Sequence, residues 1–203
     1  MPNTMVSITA CSRKLLELCR CWLLALGLAL AGGAWAQVEV ASPQLQASEE
    51  GYVVAADFSL ELNPRLEEAV GKGVVLSFLI EFEMFRPRWY WFDEKILARS
   101  KEIRLSYHAL TRQYRVSSGG LHQAFASLGE ALRVVGRLRN WQVAERSQDK
   151  LKVGDSYQGA IRLRLDTSQL PKPFQIAALG SKEWSLASDW KNWFFTLPVG
   201  EGK

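Results

Sequence analysis

Beyond residue 21 the chain contains no cysteine, because Cys11, Cys19 and Cys21 all lie in its first segment. A chain cut after that segment has no disulfide, no thiolate nucleophile and no cysteine metal ligand. Histidine is nearly as scarce. His108 and His122 are the only two, and neither has neighbours at the spacing a zinc site needs. No Gly-x-Ser-x-Gly nucleophile elbow and no glycine-rich phosphate loop is present. A surplus of one charge is missing too. The leader described next holds three of the 25 basic and one of the 21 acidic residues, leaving 22 against 20, or +2. That balance gives no footing for nucleic acid. No metal, no cofactor, no nucleic-acid partner and no catalytic residues are expected.

What is present begins with an export signal. Arg13, Lys14 and Arg20 precede an uncharged apolar run from Cys21 to Gly33, and Ala34-Trp35-Ala36 supplies the small residues of a cleavage site. The spacing predicts a cleavable signal peptide over 1–36, and so an exported chain whose remaining residues, 37–203, form a single β-rich domain. The alternative is a retained anchor, but the run from Cys21 to Ala36 falls short of the ~20 residues a spanning helix needs. After cleavage no stable membrane span is expected. With 48% apolar residues the chain can build a real core.

The mature sequence reads as alternation. Val38 to Leu62 gives a hairpin about Ser48-Glu49-Glu50-Gly51, and Asn63-Pro64 opens a two-turn helix that stops near Gly71. Val74 to Phe85 is the clearest strand: Val74, Leu76, Phe78, Ile80, Phe82 and Met84 share one face, Ser77, Glu81 and Glu83 the other. The two carboxylates are expected on a solvated outer face, paired across strands with Arg104 or Arg115. Ile96 to Ala109 and Tyr114 to Val116 continue the sheet. After Ser117-Ser118-Gly119-Gly120, the spacing of Leu121, Phe125, Leu128, Leu132 and Val135 predicts an amphipathic helix over 121–135, laid across the sheet. Leu138 to Ala144 and Tyr157 to Leu165 read as a further hairpin. Leu170 to Phe174, with two prolines, reads as extended, Phe174 to Gly180 as one helical turn, and Trp184 to Leu197 as a tryptophan-rich closing strand that buries itself. The fold class is mainly β: a single antiparallel β-sandwich or distorted barrel with one amphipathic helix and one or two short connecting helices.

Between the first two strands of the Gly73–Val116 stretch stands Arg86-Pro87-Arg88-Trp89-Tyr90-Trp91. Pro87 breaks strand pairing there. The arginines and rings either cap the core by stacking, which is the reading favoured here, or stand out as a recognition patch for a partner, a lipid head group or a glycan. In the second case Arg86, Arg88, Trp89, Tyr90 and Trp91 form the best binding patch in the chain.

The Asn63-Pro64 helix leading into Gly73-Val74-Val75-Leu76, the Arg88-Trp89-Tyr90-Trp91 corner, the Gln113-Tyr114-Arg115-Val116 strand, the Phe125/Leu128/Ala131/Leu132 pattern and the closing Trp184-Ser185-Leu186-Ala187-Ser188-Asp189-Trp190 together resemble the exported proteobacterial family known as domain of unknown function 4390. The likeness covers about Val38 to Leu197. It implies an envelope protein, encoded near a membrane sensor kinase, and brings no catalytic or ligand residues to carry over. Three functions compete. The first is a non-catalytic periplasmic binding or adaptor module with an envelope or inner-membrane protein partner. The second is a carrier of an apolar ligand or lipid between sheet and helix. The third is an enzyme built on Glu81 and Glu83 with His108 and Arg104.

Overall fold

A computed structural model describes residues 38–90, 92–145 and 151–197; the expected leader over 1–36 lies outside them. The chain runs β1 (Val38–Ala47), β2 (Gly51–Leu60), α1 (Pro64–Gly71), β3 (Leu76–Arg86), β4 (Glu94–His108), β5 (Gln113–Ser118), β6 (Leu121–Phe125), α2 (Leu128–Val135), β7 (Arg137–Glu145), β8 (Ser156–Leu165), α3 (Lys172–Ala178) and β9 (Lys191–Thr196). Two antiparallel sheets form: β1-β2-β7, and β6-β5-β4-β3-β8-β9. They remain separate rather than closing on each other, so the fold is a sandwich and not a barrel.

The alternation in β3 explains the layering. Leu76, Phe78, Ile80, Phe82 and Met84 are wholly buried, and they meet Val54, Ala56 and Phe58 of β2 and Tyr157, Ile161 and Leu163 of β8 in one core. A period of two places every second residue on the inner face. With neighbours on both sides, β3 is the centre of the large sheet.

Four expectations change. Leu121–Phe125 is a strand, so the 121–135 helix shrinks to eight residues. Gly119, at φ +59, allows the tight turn that sets Leu121 opposite Ser118. The chain therefore doubles back on β5. The helix begins only where the Ser127 hydroxyl accepts the Glu130 N–H at 3.3 Å. Helix α2 then packs against β2, β4, β5, β6 and β7, burying Ala131, Leu132 and Val135.

The expected β7–β8 hairpin does not form: β7 pairs with β2 in the small sheet, β8 with β3 and β9 in the large one. Gly136 decides this. The Phe58 N–H donates to its carbonyl at 2.7 Å, and a Cβ there would lie 2.2 Å from the Phe58 oxygen. That close approach delivers β7 to the edge of β2.

The proline stretch is also shorter than expected. Pro171 is extended (φ −55, ψ 143), but α3 starts at Lys172 with Pro173 in its first turn. A missing N–H costs no helical bond at that position. At the other helix, Asn63 accepts the Leu66 N–H at 2.9 Å as foreseen, and the helix ends at Gly71 as expected, with Gly73 at φ +87 after it. The closing strand, expected over Trp184 to Leu197, is only Lys191–Thr196, and the segment divides its apolar residues: Trp184 and Leu186 before the strand are buried, whereas Phe194 on this edge strand is exposed.

Candidate functional site

The β3–β4 corner is built on two arginines. The last rung of that ladder sets Arg86 opposite Glu94, and Pro87, without an N–H, ends it. The Arg86 guanidinium donates to the Tyr157 hydroxyl at 3.1 Å and lies 5.5 Å over the same ring. Tyr157 is wholly buried, and its hydroxyl also accepts the Lys152 N–H at 2.9 Å. Glu94 bridges both cations, 3.5 Å from Arg86 and 2.5 Å from Arg88. The Arg88 N–H donates to the Asp93 carboxylate at 3.2 Å and closes the loop. The hydrogen bond to Tyr157, ahead of opposing desolvation and aided by Glu94 and Asp155, holds Arg86 above its already high value. It stays a cation while half-buried.

Above this base the aromatics stand in solvent. Trp89 is 95% exposed, Tyr90 64% and Phe92 86%; Trp89 and Tyr90 meet edge-on with centroids 5.2 Å apart. The favoured capping reading is thus corrected in part. Arg86 caps the core, on Tyr157, and Trp89, Tyr90 and Phe92 do not. Tyr157 fills the end of the core, and Trp89, Tyr90 and Phe92 stay outside it. Of the five residues foreseen, the structure brings Arg86, Arg88, Trp89 and Tyr90 together; Trp91 lies outside the described residues. Glu94, Tyr157 and Phe92 were missed, although an acidic residue following two arginines across a turn was a readable signal.

The outer face of the large sheet carries the carboxylates. Glu81 takes Arg162 at 2.5 Å and Arg164 at 3.2 Å, and Glu83 takes Lys95 at 2.8 Å. The pairing is cross-strand as expected, but the partners are not Arg104 and Arg115: Arg104 grips Glu102 with two bonds, 2.8 and 3.0 Å long. Arg162 also lies 4.4 Å over the Trp190 ring. Burial, the largest influence on Glu81, raises its pKa, but the hydrogen bonds and charges of Arg162 and Arg164 outweigh it and leave the carboxyl below its usual value. A general acid needs the opposite shift.

His108 does not join this group. Glu81 faces Ser100 across the ladder; His108 is eight residues further along β4, roughly 26 Å away at about 3.3 Å per residue. Its ring contacts Thr111 at 3.2 Å, and His122 contacts Ser117 at 2.9 Å. Among the described residues no three His, Cys, Asp or Glu side chains cluster as metal ligands, and no helix is long and apolar enough to cross a membrane.

Fold and corner together define a β-sandwich that displays aromatic side chains on an arginine-buttressed hairpin. The chain belongs to the family described as domain of unknown function (DUF4390), whose model matches residues 36–194. No curated protein and no solved structure matches it.

Proposed function

We propose that the protein is a non-catalytic binding module of the bacterial envelope, exported by its N-terminal segment, and that the β3–β4 corner docks on a protein partner. One observation carries the reading: Trp89, Tyr90 and Phe92 are exposed on a hairpin whose base is fixed by Arg86, Arg88, Glu94 and Tyr157. Tryptophan, tyrosine and arginine are the residues that dominate protein interfaces, and a rigid base lowers the entropy lost on docking. A partner linked to a membrane sensor is the occupant this reading expects. The carrier reading is less well supported, because Ala131, Leu132 and Val135 of α2 already fill the space between helix and sheets.

In-cell photo-crosslinking from position 89 tests it. A discrete envelope protein captured there, and lost in Phe92→Ala, is the expected result. Capture of lipid alone, or of nothing, overturns the proposal.

A further inference from the structure

The central strands leave one edge open. β5 accompanies β4 only from Arg104 to His108, yet β4 begins at Glu94. Among the described residues no strand pairs with the outer side of β4 between Leu97 and Glu102. Ala98, Arg99 and Ser100 are accordingly exposed although β3 binds them along the other side. The open stretch is bounded. A register shift between Met84 and Phe85 interrupts the ladder just before Leu97, and the Gly119-Gly120 turn stands beyond Glu102. The six residues between them span about 20 Å, the length of an ordinary strand, and the backbone groups of every second one point away from β3.

Charge indicates what this edge accepts. Register places Arg99 opposite Phe82 and Lys101 opposite Ile80, on the face turned toward the small sheet. Neither cation has an ion pair among the described residues; Arg99 donates only to the Ala98 carbonyl at 3.2 Å. The nearby carboxylates are taken, Glu83 by Lys95 and Glu102 by Arg104. A second copy fits poorly. Antiparallel pairing keeps opposite residues on one face, so two such edges would set Arg99 against Arg99 or Lys101, and like charges directly opposite repel. Room exists on both faces for other side chains. Ala98 and Ser100 are small and border a recess of about 190 Å³ with Glu81, Arg162 and Trp190. Lys101 and Trp141 border a cavity of about 610 Å³.

We propose that Leu97–Glu102 of β4 is a docking edge for an extended acidic segment of a partner protein, which joins the large sheet as an added strand with carboxylates at alternate positions facing Arg99 and Lys101. Main-chain bonds supply the attachment, and the two cations supply the selection. The site is separate from the aromatic corner and does not depend on it.

The test places a photo-crosslinking residue at Ser100 of the full chain in cells and sequences the captured peptide. The expected capture is a stretch of another protein with acidic residues at alternate positions. Combining the probe with Arg99→Glu and Lys101→Glu should lower the yield about tenfold or more, the scale of reversing two interfacial charges. An unchanged far-UV circular dichroism spectrum shows the variant folded. Capture of this chain itself or of a second copy, capture of a non-acidic stretch, a yield indifferent to charge reversal, or no capture at all overturns the proposal. Position 100 is scored whether or not position 89 captures anything, so the two proposals fail separately.

Discussion

Glu81 holds two arginines with one carboxylate, and its side chain is only 20% exposed. Its folded pKa is depressed, so the stability it contributes is present above the unfolded value, ~4.3 for glutamate, and is lost as pH falls through the folded one. Replacing it by glutamine removes the charge and sets an amide N–H against guanidinium donors. Glu81→Gln should cost about 1–2 kcal/mol at pH 7. The gap from the parent protein, measured by urea unfolding, should narrow as pH falls below about 4; a gap equal at pH 7 and pH 3 would show that charge is not the cause. Gly159 is a steric counterpart. A Cβ there would lie 2.7 Å from the Trp193 ring, which itself packs on Phe82 and Phe195. Gly159→Ala should therefore destabilise by about 1–3 kcal/mol, the usual cost of overpacking, in the same assay. At this scale the sequence told which face a residue occupies but not what it meets. Glu81 was legible as an outward, paired carboxylate; that Arg162 and Arg164 are its partners depends on the β3–β8 register, which links residues 81 and 83 positions apart.

The element most misjudged is α2. Leu121 and Phe125 continue its apolar spacing by coincidence, because a two-residue turn at Gly119-Gly120 makes them the edge strand β6 instead. Local signals compete there: helical periodicity against turn chemistry, with the turn prevailing because β5 offers a ladder to join. The cap marks the true start, since Ser127 and Glu130 stand three apart immediately before the apolar face. Two substitutions separate the alternatives by thermal or urea unfolding. Ser127→Ala should cost about 1 kcal/mol for the lost cap, while Leu121→Glu, at a residue 61% exposed, should change stability by no more than about 0.5 kcal/mol. A helix running from 121 would reverse that order, burying Leu121 and leaving Ser127 mid-helix. Elements with one dominant period, such as β3 and the Asn63-capped α1, were legible to within two residues at their ends, because no second signal contended with theirs.

In the whole molecule, stability and display are assigned to different residues of the same corner. The pairing of β7 with β2 and of β8 with β3 was beyond local pattern, since either strand satisfies its alternation beside several partners. That pairing nevertheless positions the corner: β8 carries Tyr157 under Arg86, while Trp89, Tyr90 and Phe92 stay outside the core. Removing the exposed rings should therefore leave folding intact. The double change Trp89→Ala and Phe92→Ala is expected to shift unfolding free energy by no more than about 0.5 kcal/mol, while crosslinking from a probe at Tyr90 to an envelope partner disappears. Tyr157→Phe should behave in the opposite way. It removes the acceptor shared by Arg86 and Lys152 and should cost about 1–3 kcal/mol, because those donors are left without it near the end of the core. If the ring deletions instead lowered stability as far as Tyr157→Phe, the aromatics would be structural, and the corner would have no claim to a partner.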